Sequence, residues 1–339
     1  MNREEMDRER RRRRERMRQR RNRARLRGLV LLLLIAVGGV FALGRIKSGL
    51  KTDDGYAYGQ EADWFVLKNL DLLDADTAYA PQNAINLTNN IINDRIEIRL
   101  QKGQNHINRA DPYAFDAGEI SDIIEGKTEY TGETKWAFLT FDDGPNHEIT
   151  PQILDTLREK EAYATFFLVG KSITEDNRDV LLRELADGHA LALHSFSHDY
   201  HKLYPSRVGN ADAIGSEAKR AQEALQKVIS SDFHSGVWRY PGGHMSWSGL
   251  DAADAALKAQ DISWIDWNAL TGDAEPQSRR PTTEPGLVEF MNRSIAANSD
   301  NSVVVILMHD AESKQLTANA LGDVIDSLKS QGYEFGILK

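Results

Sequence analysis

Trp136-Ala137-Phe138-Leu139-Thr140-Phe141-Asp142-Asp143-Gly144-Pro145 decides how this chain is read. The apolar run has the character of a buried β-strand, and it closes on two adjacent carboxylates placed on a turn made by Gly and Pro. Two acids side by side at a strand end repel each other, and a proton, a cation or a metal must relieve that repulsion. The pair therefore suggests that one carboxylate binds a metal while the other handles protons. An ordinary Asp-Gly-Pro turn has the same residues, so the surrounding sequence has to separate the two readings.

Downstream, strand-like and helix-like segments alternate. Strand candidates lie at 136–141, 164–169, 189–193, 237–239, 262–267, 303–308 and 333–338. Between them run amphipathic segments such as 150–160, where Thr150 reads as an N-cap and Pro151 as the first helical residue. Seven strands alternating with helices predict parallel pairing, in an open doubly wound sheet or in a barrel.

Polar blocks follow these strands in order: His194-Ser195-Phe196-Ser197-His198, Arg239-Tyr240-Pro241-Gly242-Gly243, the stretch from Asp266 to Asp273, and Leu307-Met308-His309-Asp310. Two histidines four apart would face the same way on one helical turn, and with one carboxylate they make the three-ligand set of a catalytic zinc site with an open position. The rigid fork of Arg239 suits holding a carboxylate in place, and Pro-Gly-Gly bends the backbone so that its N–H groups can face a ligand. All the blocks fall at carboxyl ends of successive strands, the face on which parallel barrels carry active sites. That placement favours the barrel and a catalytic metal. His189, inside a strand, reads as a core histidine, while His147, His201, His234 and His244 have no comparable partner in sequence.

Composition narrows the chemistry. The 339 residues include no cysteine, so any metal must be held by His, Asp or Glu. Residues 1–28 hold fourteen arginines against five acids, a net +9, and the formal total of −9 leaves −18 for the remainder. An acidic main domain repels nucleic acids and other polyanions.

The arginine tract runs into 29–44, an uncharged apolar segment with Arg45 and Lys47 beyond it. It is near the short end of the membrane-spanning range, and flanking arginines can snorkel to the headgroups. The charge asymmetry puts residues 1–28 in the cytoplasm and the rest outside. A cleaved signal peptide, with Ala42-Leu43-Gly44 as its small-x-small site, and an Arg-rich nucleic-acid arm are the competing readings. Residues 45–134 form a spacer or a small α+β or irregular subdomain, with a short strand expected at 95–100 and a helix or packed arm at 61–73. The barrel domain is expected over 135–339.

The five motif blocks resemble those of the NodB-homology polysaccharide deacetylases, carbohydrate esterase family four. The resemblance covers residues 135–339 and implies a distorted seven-stranded (β/α) barrel, here preceded by a transmembrane helix and a spacer, that removes acetyl groups from sugar polymers with a divalent metal. It implies Asp142 as general base, Asp143, His194 and His198 as metal ligands, Arg239 as the residue orienting the base, Asp273 as partner of the general acid His309, and Leu307 as the wall for the acetyl methyl. Tyr240, Gly242 and Trp267 are further candidate substrate contacts. Zinc is the first choice of metal, and Co, Ni, Mn or Fe would also suit two His and one Asp.

Amide carbonyls are poor electrophiles, so a metal is needed to polarise the carbonyl and acidify a water, with a backbone N–H of the Pro-Gly-Gly loop joining it at the oxyanion. The chain departs from the family at three places: Gly242 replaces a common Tyr, Ala274 a frequent Trp, and Leu270 a frequent acid. The shape of the sugar groove is thereby altered, with Trp267, Trp247 or Phe196 as alternative stacking surfaces. A membrane-anchored, outward-facing deacetylase most naturally meets peptidoglycan, where free amines weaken lysozyme attack. Other polymers (exopolysaccharide, chitin oligomers, acetylated xylan) and an inactive glycan-binding protein are the alternatives.

Overall fold

The computed structural model describes Leu100 and residues 103–339. The arginine tract, the expected membrane segment and residues 45–99, with the features expected there, lie outside the described residues. Among the described residues no helix is long and apolar enough to cross a membrane.

The described chain begins with a 3-10 turn (Asn108–Tyr113), strand β1 (Ala114–Phe115) and helix α1 (Ala117–Ile124). Asp116 caps α1 by accepting from Glu119 N. Alternation then follows: β2 (Lys135–Asp142), α2 (Thr150–Glu159), β3 (Ala164–Leu168), α3 (Arg178–Ala186), β4 (Ala190–Leu193), the single turn α4 (Tyr200–Leu203) and α5 (Ala211–Val228). After these come β5 (Val237–Trp238), α6 (Asp251–Lys258), β6 (Ser263–Trp264), β7 (Ala269–Leu270), α7 (Glu284–Ala296), β8 (Val303–His309), α8 (Gln315–Ser330), β9 (Tyr333–Phe335) and β10 (Ile337–Leu338). The hydroxyl of Thr150 does not cap α2 as expected; it is committed to Asp310 at 2.6 Å, and Asn146 Oδ1 takes the N–H groups of Glu148 and Ile149 instead.

Seven strands run parallel in the order β6-β5-β4-β3-β2-β8-β7, with β9 added beside β2. Their curved sheet is a half-barrel, because no ladder joins its end strands β6 and β7 among the described residues. The expected distorted seven-stranded barrel is thus present as an open half-barrel. The strand expected at 262–267 breaks after Trp264, and the chain pairs again only at Ala269, on the opposite edge beside β8. Side chains bridge the interval: Arg239 donates to Ile265 O and Asp266 O, and Asn268 bonds Val303 O and Val305 N.

The strand expected at 333–338 also divides, at Gly336, where a Cβ would come within 2.7 Å of Phe138. Its first part pairs with the start of β2, while β10 pairs with β1 across the bottom of the half-barrel. Residues 103–134 therefore do not stand apart as a spacer: Ala117 and Ile120 of α1 are buried in the same cluster as Phe138, Phe167, Val305 and Leu338, forming the floor.

Alternation along the strands sorts the side chains into that inner cluster and a larger one. On β2, Phe138 belongs to the inner cluster while Ala137, Leu139 and Phe141 belong to the larger one; on β8, Val303 and Val305 are inner and Val304, Ile306 and Met308 are not. By the same period of two, Asp142 and His309, which are register partners, stand on the inner side at the carboxyl end. Val237 is inner and Trp238 outer, so Arg239 returns inward and Tyr240 outward.

Candidate active site

Arg239 is fully buried and ties the interior together. Its Nη1 donates to Thr140 Oγ1 at 2.7 Å and to Asp142 Oδ1 at 2.9 Å, and its guanidinium lies 4.0 Å from the Phe167 ring centroid. With the two carbonyls it also holds, the planar fork satisfies four acceptors at once, which a lysine ammonium could not do in this geometry. Asp142 is thereby fixed at the rim with Oδ2 left toward His194.

Asp143, His194 and His198 each offer one ligand atom, and these atoms lie within 4.8 Å of one another. His194 Nδ1 is 2.9 Å from Arg239 O, a carbonyl that can only accept, so the proton sits on Nδ1 and Nε2 presents its lone pair to the cluster. His198 Nε2 lies 3.4 Å from Asp143 Oδ1. Two imidazoles and one carboxylate converging with acceptor atoms inward, and a fourth side open to a pocket, fit a divalent metal. Burial lowers the His198 pKa, reinforced by His194 and opposed by Asp143 and Asp142, which keeps the imidazole in its ligand form.

The histidines do not share a helical turn. They meet across a loop in which Ser195 (φ 60°) and His198 (φ 55°) are left-handed, and Asp143 is left-handed too (φ 88°). Such backbone costs about 1–3 kcal/mol per residue and persists only where the surroundings hold it. The holding group is Glu217 on α5, whose buried carboxylate accepts from Phe196 N at 3.0 Å and Ser197 N at 2.6 Å and is paired with Lys202 and Arg220. Burial would raise the Glu217 pKa, but Lys202 and Ser197 together lower it. Beneath the acid pair, Asp310 is buried against Thr150, and a Cβ at Gly144 would come within 2.2 Å of its Oδ2. Burial pushes the Asp310 carboxyl up to about 7, with the charges of Asp143 and Asp142 adding to it and Thr150 opposing.

Opposite the metal cluster, His309 Nδ1 donates to Asp273 Oδ1 at 2.9 Å, while Asp273 Oδ2 accepts from His309 N and Thr317 Oγ1. The imidazole is therefore oriented with Nε2 free of this carboxylate. Burial alone would lower the His309 pKa; the charge and hydrogen bond of Asp273, with Asp142 and Asp143, outweigh it and raise it. Burial would raise the Asp273 pKa, and His309, Lys314 and Thr317 together bring it below the ordinary value.

These groups surround one pocket of about 340 Å³, onto which Asp142, Asp143, His194, His198, Asp273 and His309 all open. Leu307, Trp267 and Gly242 line it as expected from sequence. Tyr240 does not: its ring is fully buried on the outer side of the sheet, and its hydroxyl donates to Asp254 at 2.7 Å. Glu217, Asp310, Tyr200 and Lys314 were missed. Glu217 had a signal, being an acid on the face of α5 that buries Ile214, Ala218, Ala221 and Leu225.

A polysaccharide deacetylase model matches residues 129–258. The chain is 32% identical over 213 residues to a peptidoglycan-N-acetylglucosamine deacetylase of Bacillus cereus, matching 60% of this chain and 69% of that one. The chain belongs to the polysaccharide deacetylase family. A Streptococcus mutans CE4 esterase structure is similar at TM-score 0.68 and 46% identity, over 72% of this chain and 99% of that one. The catalytic domain of a peptidoglycan N-acetylglucosamine deacetylase from Eubacterium rectale aligns at TM-score 0.51 and 27% identity, over 62% and 91% of the two chains. The deacetylase is accordingly a metal-dependent hydrolase of acetylated polysaccharides, with Asp143, His194 and His198 as its candidate metal site.

Proposed function

We propose that this deacetylase removes N-acetyl groups from N-acetylglucosamine in peptidoglycan, using zinc, while held to the cell membrane by residues 29–44 with its catalytic domain outside. The observation that carries the reading is the convergence of an Arg-held carboxylate, a two-His-one-Asp cluster and an Asp-held imidazole on a single pocket. The wall substrate is supported by relatives from Bacillus cereus and Listeria monocytogenes that are named as peptidoglycan-N-acetylglucosamine deacetylases. The anchor is supported by the charge asymmetry of the N-terminal sequence.

A divalent metal bound at Asp143, His194 and His198 supplies carbonyl polarisation and a water acidic enough to lose its proton near neutrality. Asp142, fixed by Arg239, accepts a water proton through Oδ2. The Gly242 N–H, which has no acceptor among the described residues, serves as a backbone donor to the oxyanion. His309 delivers a proton from Nε2 to the departing amine, and Asp273 stabilises the imidazolium until it does. Leu307 meets the acetyl methyl.

Acetate release from peptidoglycan by the full chain in detergent tests this. Release that EDTA abolishes and zinc restores is expected; acetate from O-acetylated xylan or chitin oligomers alone would overturn the wall substrate. An O-acetylated polymer is the second reading, favoured by the 46% identity to a structure described as an esterase.

A further inference from the structure

The three exposed large apolar side chains among the described residues are Tyr200 (41%), Val208 (47%) and Met245 (64%). Two segments, 200–208 and 244–248, carry all of them. A parallel bridge between Val208 and Ser248 and a hydrogen bond from Arg207 to Ser246 O join the segments. Between them the Trp247 ring stacks on Tyr204 at 4.0 Å, lies 5.0 Å from the Arg207 guanidinium and 5.5 Å from the Tyr200 ring. Trp247 Nε1 is anchored on Pro241 O at 3.0 Å.

Tyr200 extends this patch into the pocket. Its ring stands edge-on to metal-ligand candidate His198 at 5.3 Å between centroids, and it lines the pocket with Gly242. A Cβ placed on Gly242 would come within 3.1 Å of Tyr200 and 3.3 Å of Trp247, and the residue sits at φ +80°. A side chain at 242 is thus strained by the backbone conformation and pressed against both rings, and Tyr200 lines the pocket at this place instead. The Tyr200 hydroxyl has no hydrogen-bond partner among the described residues.

An exposed aromatic face with a free hydroxyl, continuous with the reacting site, has the chemistry that recognises a pyranose: the apolar C–H face packs on the ring and a sugar hydroxyl meets the phenol. The other flank of the pocket is charged, with Glu275 and Lys314. We propose that Tyr200, backed by Trp247, is a sugar-stacking subsite for the hexosamine next to the one being deacetylated, and that it sets the preference for chain length. This rests on the polysaccharide reading above.

The test is a steady-state series on chitin-type N-acetylglucosamine oligomers of two to five sugars, with zinc, comparing the full chain with Tyr200→Ala and Tyr200→Phe. Expected for the parent is kcat/KM rising with length. In Tyr200→Ala the KM for the pentamer should rise roughly tenfold, more than kcat falls, and the length dependence should flatten. Tyr200→Phe should restore the stacking part, leaving a smaller KM rise for the lost hydroxyl. An unchanged length dependence in Tyr200→Ala would overturn the subsite. No acetate from any oligomer and none from peptidoglycan with the parent chain would instead overturn the hexosamine reading, so the two failures are told apart.

Discussion

Asp142 with Arg239 and Asp273 with His309 are both buried carboxylates touching a cation at 2.9 Å, yet the two sides of the pocket are built for different ends. A guanidinium keeps its charge at any working pH, so the pairing with Arg239 sets where Asp142 is. His309 can lose its proton, so its pairing with Asp273 sets when it is charged. The contrast also shows in the supports: Arg239 is held by backbone carbonyls and Thr140, whereas Asp273 accepts from Thr317 and His309 and so must remain a carboxylate to receive both. One kind of ion pair thus fixes a carboxylate on one side and holds a titratable imidazole on the other, as the proposed proton acceptor and donor require.

The largest expected effect is on the fixed side. Asp142→Asn should reduce acetate release by about a hundred- to ten-thousand-fold while zinc still binds, as read by calorimetric titration; retained turnover would remove Asp142 from the base position. Arg239→Met leaves a buried carboxylate without its partner and should cost about 3–5 kcal/mol, seen as a lowered unfolding midpoint in urea. A midpoint near that of the parent would mean that Asp142 is positioned by something else.

A smaller effect is expected one layer out. Glu217→Ala removes the carboxylate that holds the loop of His194 and His198 and should weaken zinc binding by about ten- to a hundredfold. Loss of stability with unchanged zinc affinity would make Glu217 structural only.

The smallest effect lies at Glu184, which is fully buried with neither carboxylate oxygen partnered among the described residues, its pKa raised well above 4.5 by burial and by Asp310. Between pH 4.5 and that raised value the unfolded chain ionises Glu184 and the folded one does not, so the parent loses stability as pH rises. Glu184→Leu should lack that loss and gain roughly 1 kcal/mol at pH 8 relative to pH 5, with little change in activity.

The half of the site built on long strands was legible in sequence, because a pleat of period two carries residues inward without further help. Asp142 and His309 follow from the parity of Phe138 and Val305 on β2 and β8. Arg239 was legible from the block Arg239-Tyr240-Pro241-Gly242-Gly243 and not from its two-residue strand, and for the same reason the outward turn of Tyr240 was not. What stayed hidden has two physical causes. β5, β6 and β7 are two residues each, too short for a periodic signal, so the break in the sheet after Trp264 could not be read. The loop conformations at Asp143, Ser195 and His198 are enforced by distant groups, Glu217 among them, and no local pattern announces a left-handed residue that tertiary contacts impose. The packing of 103–134 as the floor of the half-barrel depends on β10, more than two hundred residues later.

The most direct test of the contrast between the two pairs is the pH dependence of kcat/KM for acetate release by the parent and by Asp273→Asn. The proposed mechanism requires protonated His309, whose pKa is raised above 6.5, so the parent should lose activity only as pH rises through that higher value. In Asp273→Asn the opposing charge is gone and burial dominates, so the alkaline limb should move to lower pH while the acidic limb stays in place. An alkaline limb that does not move would contradict the assignment of His309 as the proton donor tuned by Asp273.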